Sequence, residues 1–245
     1  MKTELKSSFF RSAQFIIGLS LIISAVIFSW SFYFSRSSSD VISVTGSASK
    51  EVVSDSAKFV GNFSRIVKLS GLKTGYAAMA TDLKTVKDFL KTQSIEEKDV
   101  VISTVSMEQN YDYNQNVQTE KEYTLRQTVE VVSTDTAKIT TLAQNVQALI
   151  NKGVIFSVYP VEYYYKNLPE VRVSLLADAV RDAKNRADQI VSSTGKKVGS
   201  LASASSGVVQ VLPSNSLEIS DYGTYDTSKI NKTIMVTVKA SFNIK

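Results

Sequence analysis

Two pairs of serine and lysine residues have the spacing S-x-x-K: Ser47 with Lys50 and Ser193 with Lys196. In hydrolases that use this spacing, the lysine takes the proton of the serine hydroxyl, which requires that burial keeps the amine uncharged. Lys50 lies in a polar segment that we expect to form a turn, and Lys196 follows a glycine that is expected to end a helix. Both amines should therefore be hydrated, and a chance spacing is the favoured interpretation.

Glu96, Glu97 and Asp99 form the densest acidic group of the chain. Divalent cations prefer carboxylate oxygens, so a weak cation site is one interpretation of this group. Clustered charges usually lie in a hydrated loop, and this second interpretation is the favoured one. We accordingly predict no metal site and no bound cofactor.

The chain of 245 residues contains no cysteine and no histidine. Their absence excludes disulfide bonds, thiolate nucleophiles, zinc or haem sites built from these residues, and Ser-His-Asp triads. The formal net charge is +5; three basic residues and one acidic residue among the first eleven supply +2 of it, and the remaining +3 forms no basic stripe. Carboxylates, hydroxyls and lysines remain as possible catalytic groups. The charge distribution predicts no binding of nucleic acid, and we predict a protein that is not an enzyme and has no catalytic residues.

Tyrosines are the side chains of this sequence that most favour a protein–protein interaction surface. Four of them fall within residues 159–165, where strand alternation predicts that Tyr159, Tyr163 and Tyr165 share one face and Tyr164 takes the other. Exposed aromatic side chains favour protein contacts, whereas packing beneath the third helix is the alternative. The predicted interaction surface consists of Tyr111, Tyr113, Tyr159, Tyr163 and Tyr165.

Residues 12–35 carry no charge and are rich in phenylalanine, isoleucine, leucine and valine. As a helix with a rise of about 1.5 Å per residue, the stretch would be roughly 36 Å long, enough to cross a hydrocarbon core of about 30 Å. Lys2, Lys6 and Arg11 precede it, and the positive-inside rule then keeps the N-terminal tail in the cytoplasm. A cleaved signal peptide is the alternative, although its apolar part is usually only about 7 to 15 residues long.

We therefore predict a single-pass protein of the cytoplasmic (inner) membrane whose C-terminal domain faces the periplasm. The membrane is its first expected partner, through the N-terminal helix. The predicted segments are a cytoplasmic tail at 1–11, a transmembrane anchor at 12–35, a linker at 36–40 and one exported domain at 41–245.

Beyond the anchor, the apolar pattern changes between the period of strands and the period of helices. Apolar residues recur every three or four positions in 72–90, 139–149 and 173–190, which predicts three amphipathic helices. Strands are predicted at 41–46, 57–69, 100–107, 123–131, 154–165, 198–212 and 234–244. This order predicts an α+β fold: a mainly antiparallel sheet with three helices packed on it, preceded by one N-terminal transmembrane helix.

Several segments resemble the SIMPL-domain family of exported bacterial proteins, a domain of unknown function. The first strand reads V-T-G and is followed by D-x-A, and the third helix reads A-x-x-D-A-x-x-R-A-x-x-I-x-x-x-x-G. The residues concerned are Val44, Thr45, Gly46, Asp55, Ala57, Ala179, Asp182, Ala183, Arg186, Ala187, Ile190 and Gly195. This sequence departs from the family pattern at Glu122, where a glycine usually stands, and at Pro160, in a strand normally free of proline.

The resemblance, which runs from about Ile42 to Ile244, implies an extracytoplasmic α+β domain with no established catalytic residues. It also implies a link to cell-envelope or stress biology and a capacity to oligomerise. We predict a non-enzymatic envelope protein whose domain is an interaction or homo-oligomerisation module in envelope stress defence, with an unknown envelope protein as a further partner. The alternatives are a periplasmic protein that binds a small molecule or peptide in one concave site with convergent polar groups, and, third, a Ser/Lys hydrolase.

Overall fold

The structure of the chain is a computed structural model that describes residues 2–36, 40–110, 120–216 and 220–245. The helices in these ranges are α1 (Lys2–Arg36), α2 (Leu72–Thr92), α3 (Thr136–Gln144), α4 (Gln147–Asn151) and α5 (Leu168–Ser192). The strands are β1 (Val41–Val53), β2 (Ser56–Lys68), β3 (Val100–Ile102), β4 (Ser106–Asn110), β5 (Glu122–Ser133), β6 (Phe156–Val158), β7 (Glu162–Tyr164), β8 (Val198–Ser206), β9 (Gln210–Pro213), β10 (Thr224–Tyr225) and β11 (Asn231–Ile244). The predicted α+β class is confirmed.

Helix α1 contains the apolar stretch that was predicted as an anchor. Its window Ile16–Tyr33 has a mean hydropathy of 2.0, and its side chains lie outside any core. A helix of this length and composition suits a bilayer crossing, and a signal sequence near an N-terminus has the same features.

The contacts divide the chain into two units. The first consists of Met1–Gly46, Ala183–Ser205 and Lys239–Lys245, and the second of Ser47–Asp182 and Ser206–Val238. The elements β1, α5, β8 and β11 contribute residues to both units. The strands form two sheets, whereas a single sheet was expected.

The six-stranded sheet belongs to the second unit and is built on the long pair β2 and β5. These strands are antiparallel from Ala57 opposite Ser133 to Lys68 opposite Glu122. The short strands β3 and β4 pair with the free edge of β5, and β6 and β7 pair with the free edge of β2. In the other sheet the order is β1-β11-β9-β10, with β8 also paired to β11.

Helices α2 and α3 cover one face of the six-stranded sheet because every second residue of β2 and β5 is apolar on that side. Phe59 and Phe63 of β2 and Leu125 of β5 are fully buried there, together with Met79 of α2 and Ile139 of α3. Burial of each such side chain contributes about 1.5–3 kcal/mol, so this helix-on-sheet core is the main stabilising feature of the second unit.

A second apolar cluster lies beneath the start of α5, still within the second unit. Val171 and Leu175 of α5 are buried against Ile234 and Val236 of β11 and Val211 of β9. Lys232, a buried lysine near the start of β11, stands two residues before Ile234 of this cluster.

The helix predicted over 139–149 is divided in two, so four helices follow α1 in the described ranges, one more than predicted. Asp135 caps α3, since its Oδ1 accepts a hydrogen bond from the Lys138 backbone N–H at 2.9 Å. At the other end, the Asn145 side chain donates to Gln93 Oε1 at 2.9 Å. That bond ties the junction between α3 and α4 to the end of α2.

Both outer edges of the six-stranded sheet contain one extra residue. Between Ala57 and Gly61 there are four steps along β2, but their partners Tyr163 and Val158 are five steps apart. On the other side, Ile102 pairs with Val129 and Ser106 with Arg126, so four steps along the edge face three steps along β5. Such bulges reverse the side-chain alternation and hinder further strand pairing at the edge.

Candidate interaction surface

The bulge between β6 and β7 separates the predicted tyrosines. Tyr159 remains 53% exposed, whereas Tyr163 is buried and its hydroxyl shares a 2.8 Å hydrogen bond with Thr140 Oγ1 of α3. The extra residue lies around Pro160, where the missing N–H removes no ladder hydrogen bond. The continuous alternation assumed for this segment therefore does not hold, and Tyr163 belongs to the core.

The remaining tyrosines of the predicted surface have different positions. Tyr165 is half-buried against the cluster beneath α5, and its backbone N–H donates to the Tyr225 hydroxyl at 2.9 Å. Tyr111 and Tyr113 lie outside the described residues. Tyr159 is thus the member of the set that the described structure leaves accessible, and its contact role stays a prediction.

Tyr164 points to the face opposite Tyr163 and makes a polar contact of its own. Its hydroxyl donates to Glu162 Oε2 at 2.7 Å, and its ring centroid lies 6.1 Å from that of Tyr225. The hydrogen bond to Glu162, together with burial and the charge of that carboxylate, raises the pKa of Tyr164 to about 12. This hydroxyl therefore stays protonated throughout the physiological range.

Lys232 of β11 is a buried charge that the sequence analysis missed. It is 0% exposed, its Nζ donates to the Asp226 backbone oxygen, and that Nζ lies 5.9 Å from the centre of the Tyr225 ring. Burial lowers the pKa of Lys232, and the charge of Asp226 partly opposes that shift. The available signal was the alternation itself, because Lys232 stands two residues before Ile234 on the buried face of the strand.

A buried amine can act in catalysis or ligand binding only if a substrate can reach it. Lys232 is enclosed, and its hydrogen bond holds the loop that precedes β11. The arrangement supports a positioning role for the side chain.

Neither predicted Ser/Lys pair contains a buried lysine. Lys50 is exposed and lies within β1, so the turn expected there is wrong: the strand continues to Val53. Lys196 is half exposed and forms an ion pair of 3.2 Å with Asp40. A hydrated or ion-paired ammonium group cannot take a proton from serine at neutral pH, so the geometry offers the hydrolase alternative no support.

The predicted acidic group separates into individual ion pairs. Glu96 pairs with Lys98 at 2.7 Å, which lowers the pKa of Glu96, and Glu97 pairs with Lys91 at 3.2 Å. Across the described ranges, no three acidic side chains come together in a way that would hold a metal ion.

One concave site lies between the end of α2 and β3. It is a cleft of about 200 Å³ whose floor is apolar, with Leu90 and Ile95 among its lining residues, and whose rim carries Lys87 and Lys91. Glu97 also lines the cleft and already pairs with Lys91. Two of its charged groups thus already neutralise each other, and small-molecule or peptide binding stays a prediction.

The face of the six-stranded sheet opposite α2 and α3 is its open face. Residues directly opposite each other in an antiparallel pair share a face, so the register assigns the exposed apolar side chains to one side. Five of them are between 40% and 66% exposed: Ile66, Val101, Val132, Ile155 and Tyr159.

Polar side chains lie between these apolar residues on the open face. Lys58 and Glu130 form an ion pair of 3.2 Å, and Arg126 and Glu108 lie on the same side of neighbouring strands. The face thus carries both signs of charge around a scattered apolar set, with Tyr159 and Ile155 on one edge. It is chemically suited to contact with another protein surface.

The residues of the family motifs have structural contacts. Asp182 Oδ2 accepts a hydrogen bond from the Ser47 backbone N–H at 2.8 Å, and Asp55 Oδ1 accepts one from the Lys166 backbone N–H at 3.0 Å. Ala183 and Ala187 are fully buried in α5. These residues therefore stabilise the fold.

Comparison with known protein families gives one match. The family model SIMPL, described as a protein of unknown function (DUF541), matches residues 42–242. No curated protein matches the chain. The resemblance predicted from the motifs is thereby confirmed over the range that the motifs indicated.

Proposed function

The chain belongs to the SIMPL family, and we propose that this member is a non-enzymatic protein of the cell envelope that self-associates through its open sheet face. Helix α1 holds it in the cytoplasmic membrane as a single span, with the tail before Arg11 in the cytoplasm and the domain outside. Its role is then to interact and assemble.

The observation that carries this proposal is the set of exposed apolar side chains on the open face. Isolated apolar residues are common on protein surfaces, but this set lies on one side of one rigid sheet. Tyrosine and isoleucine supply a large contact area, and a tyrosine loses little side-chain freedom on binding. The rigid strands β2 and β5 hold these side chains in place before any partner arrives.

A second copy of the chain is the partner that the face fits best. The open face has neither a strongly positive nor a strongly negative character, since Lys58 faces Glu130 and Arg126 shares the side with Glu108. A surface that carries both charges can complement itself across a two-fold axis. Anchoring in one bilayer also confines the copies to a thin layer, which raises their effective concentration.

The test measures the subunit number of the full chain in detergent micelles and in lipid nanodiscs over a range of concentrations. Wild-type protein is expected to form concentration-dependent oligomers. The double variant Ile155→Ser/Tyr159→Ser should shift the midpoint of assembly at least about tenfold higher, because large apolar side chains that become buried in an interface can each contribute about 1 kcal/mol or more to binding.

The matched control is Ile150→Ser/Val173→Ser. It removes two equally exposed apolar side chains from α4 and α5, away from the open face, and should leave the midpoint unchanged. A monomeric wild-type chain at every concentration, or an equal shift in the control, would overturn the proposal.

A further inference from the structure

The positive charge of the chain beyond Ser39 is concentrated in one of the two units. From Asp40 onward, the first unit contains six lysine or arginine residues and two aspartates, a net charge of +4. The second unit contains eighteen basic and twenty acidic residues, a net charge of −2. The first unit is therefore basic and the second weakly acidic, so the two units should attract partners of opposite charge.

The basic unit also contains the residues that follow the proposed anchor in the chain. Helix α1 ends at Arg36, and four residue steps from there to Asp40 can span at most about 14 Å. The Asp40 carbonyl accepts a hydrogen bond from the Ile244 backbone N–H at 2.8 Å. The chain length thus limits how far this end of β11 can lie from the end of α1.

Three exposed lysines are held beside Asp40. Lys196 Nζ lies 3.2 Å from an Asp40 carboxylate oxygen. Lys197 and Lys245 exchange two backbone hydrogen bonds, of 2.9 and 2.8 Å, next to the Ile244 contact. These contacts hold the three lysines near Asp40, which stands four residues after the end of α1.

We propose that Lys196, Lys197 and Lys245 bind the phosphate groups of anionic phospholipids in the membrane that contains α1. The inference rests on the proposed retention of α1 as an anchor, and it adds a surface by which the domain docks on the bilayer. Lipid headgroups are the favoured ligand because the tether keeps the lysines within reach of them at all times.

The strength of such docking follows from the charge of each lysine. A basic residue near an anionic membrane surface contributes about 1 kcal/mol, which is about a fivefold change in the ratio of docked to undocked domain. The attraction acts over a screening length of about 8 Å at physiological salt and about 3 Å at 1 M salt. Docking should therefore depend on lipid charge and on ionic strength.

The experiment uses the full chain in nanodiscs of either phosphatidylcholine alone or phosphatidylcholine with phosphatidylglycerol. The chain has no cysteine, so Ser193→Cys gives a single labelling site three residues before Lys196. A nitroxide there reports collisions with a nickel chelate attached to lipid headgroups. Collisions should be several-fold more frequent in the anionic bilayer, and high salt should remove the difference.

The decisive variant is Lys196→Gln/Lys197→Gln/Lys245→Gln, which should abolish the lipid dependence. The control Lys84→Gln/Lys87→Gln/Lys91→Gln removes the same charge from α2 and should retain it. Equal collision rates in both bilayers, or an equal loss in the control, would overturn the inference while leaving self-association intact. Recovery of the chain outside the nanodiscs would overturn both the anchor and the docking surface.

Discussion

The hydrogen bond between Tyr164 and Glu162 makes the stability of the protein depend on pH in the alkaline range. The two residues are separated by one position in β7, so both side chains leave the same face of the strand. The hydroxyl donates to a carboxylate, a charge-assisted hydrogen bond of the stronger kind. The folded state thereby favours the protonated phenol.

This preference predicts a pH-dependent effect of Tyr164→Phe. The folded pKa of about 12 is higher than the unfolded value of about 10, so the contribution is complete below pH 10 and is lost as the pH rises towards 12. Because the pair is partly exposed, we expect the variant to lower the free energy of unfolding at pH 7 by only about 0.5–1 kcal/mol. Urea unfolding of the wild type and of Tyr164→Phe at pH 7, 10 and 11 should show that the difference between their free energies of unfolding becomes smaller as the pH rises.

The control for this prediction is Tyr159→Phe, which removes a hydroxyl that makes no hydrogen bond to a described residue and should change stability little at any pH. A Tyr164→Phe difference that stays constant from pH 7 to 11 would contradict the assigned contact.

At the residue level, the sequence was sufficient where a property depends on neighbours in the chain. Ala183 and Ala187, four positions apart, lie on one face of α5 and are buried, as the helical period requires. Lys232 was missed because the last strand was predicted to begin at residue 234, whereas β11 begins at Asn231. Tyr163 was misplaced because its burial depends on a bulge, which the alternation of one strand does not reveal.

Among the elements, α2 packs unusually close to the sheet at one glycine. A Cβ atom on Gly75 would lie 2.6 Å from Val67 Cγ1 and 3.1 Å from Leu125 Cδ1. Val67 is a branched residue on a central strand and has little freedom to move away. The absence of a side chain at this position therefore sets the distance between helix and sheet.

Gly75→Ala is thus expected to destabilise the protein in spite of its effect on helix propensity. Alanine is about 1 kcal/mol more favourable than glycine in a helix interior, whereas overpacking a core typically costs about 1–3 kcal/mol. Because the contacts at this position are so short, we expect a net loss of stability. Chemical unfolding should give a lower free energy of unfolding for Gly75→Ala than for the wild type. Gly71→Ala is the control, since nothing lies within 4 Å of its added Cβ. Gly71 is the N-cap of α2, where alanine is less favourable than glycine, but alanine also restricts the unfolded chain, so the net loss of stability should be smaller than for Gly75→Ala.

The elements also show where periodicity stops being informative. Long segments such as α2, α5 and β11 were predicted because their apolar stripes extend over many residues. The short edge strands β3, β4, β6 and β7 were each merged with a neighbour, because a bulge is defined by pairing with another strand. The open face of the candidate site depends on that pairing, so only Tyr159 of its apolar residues was predicted as a surface residue.

For the whole molecule, the proposed assembly and membrane docking both require that α1 stays attached. We expect the full chain to remain in membranes after alkaline carbonate extraction, and mass spectrometry should find its N-terminal residues intact. Ile22→Arg/Ile23→Arg should reduce retention strongly, because arginine at a span centre costs about 2.5–3.5 kcal/mol, whereas Ile22→Leu/Ile23→Leu should not. Protease added to spheroplasts should degrade the domain. A soluble mature chain without the segment 1–40 would instead identify a cleaved signal sequence and contradict the anchor.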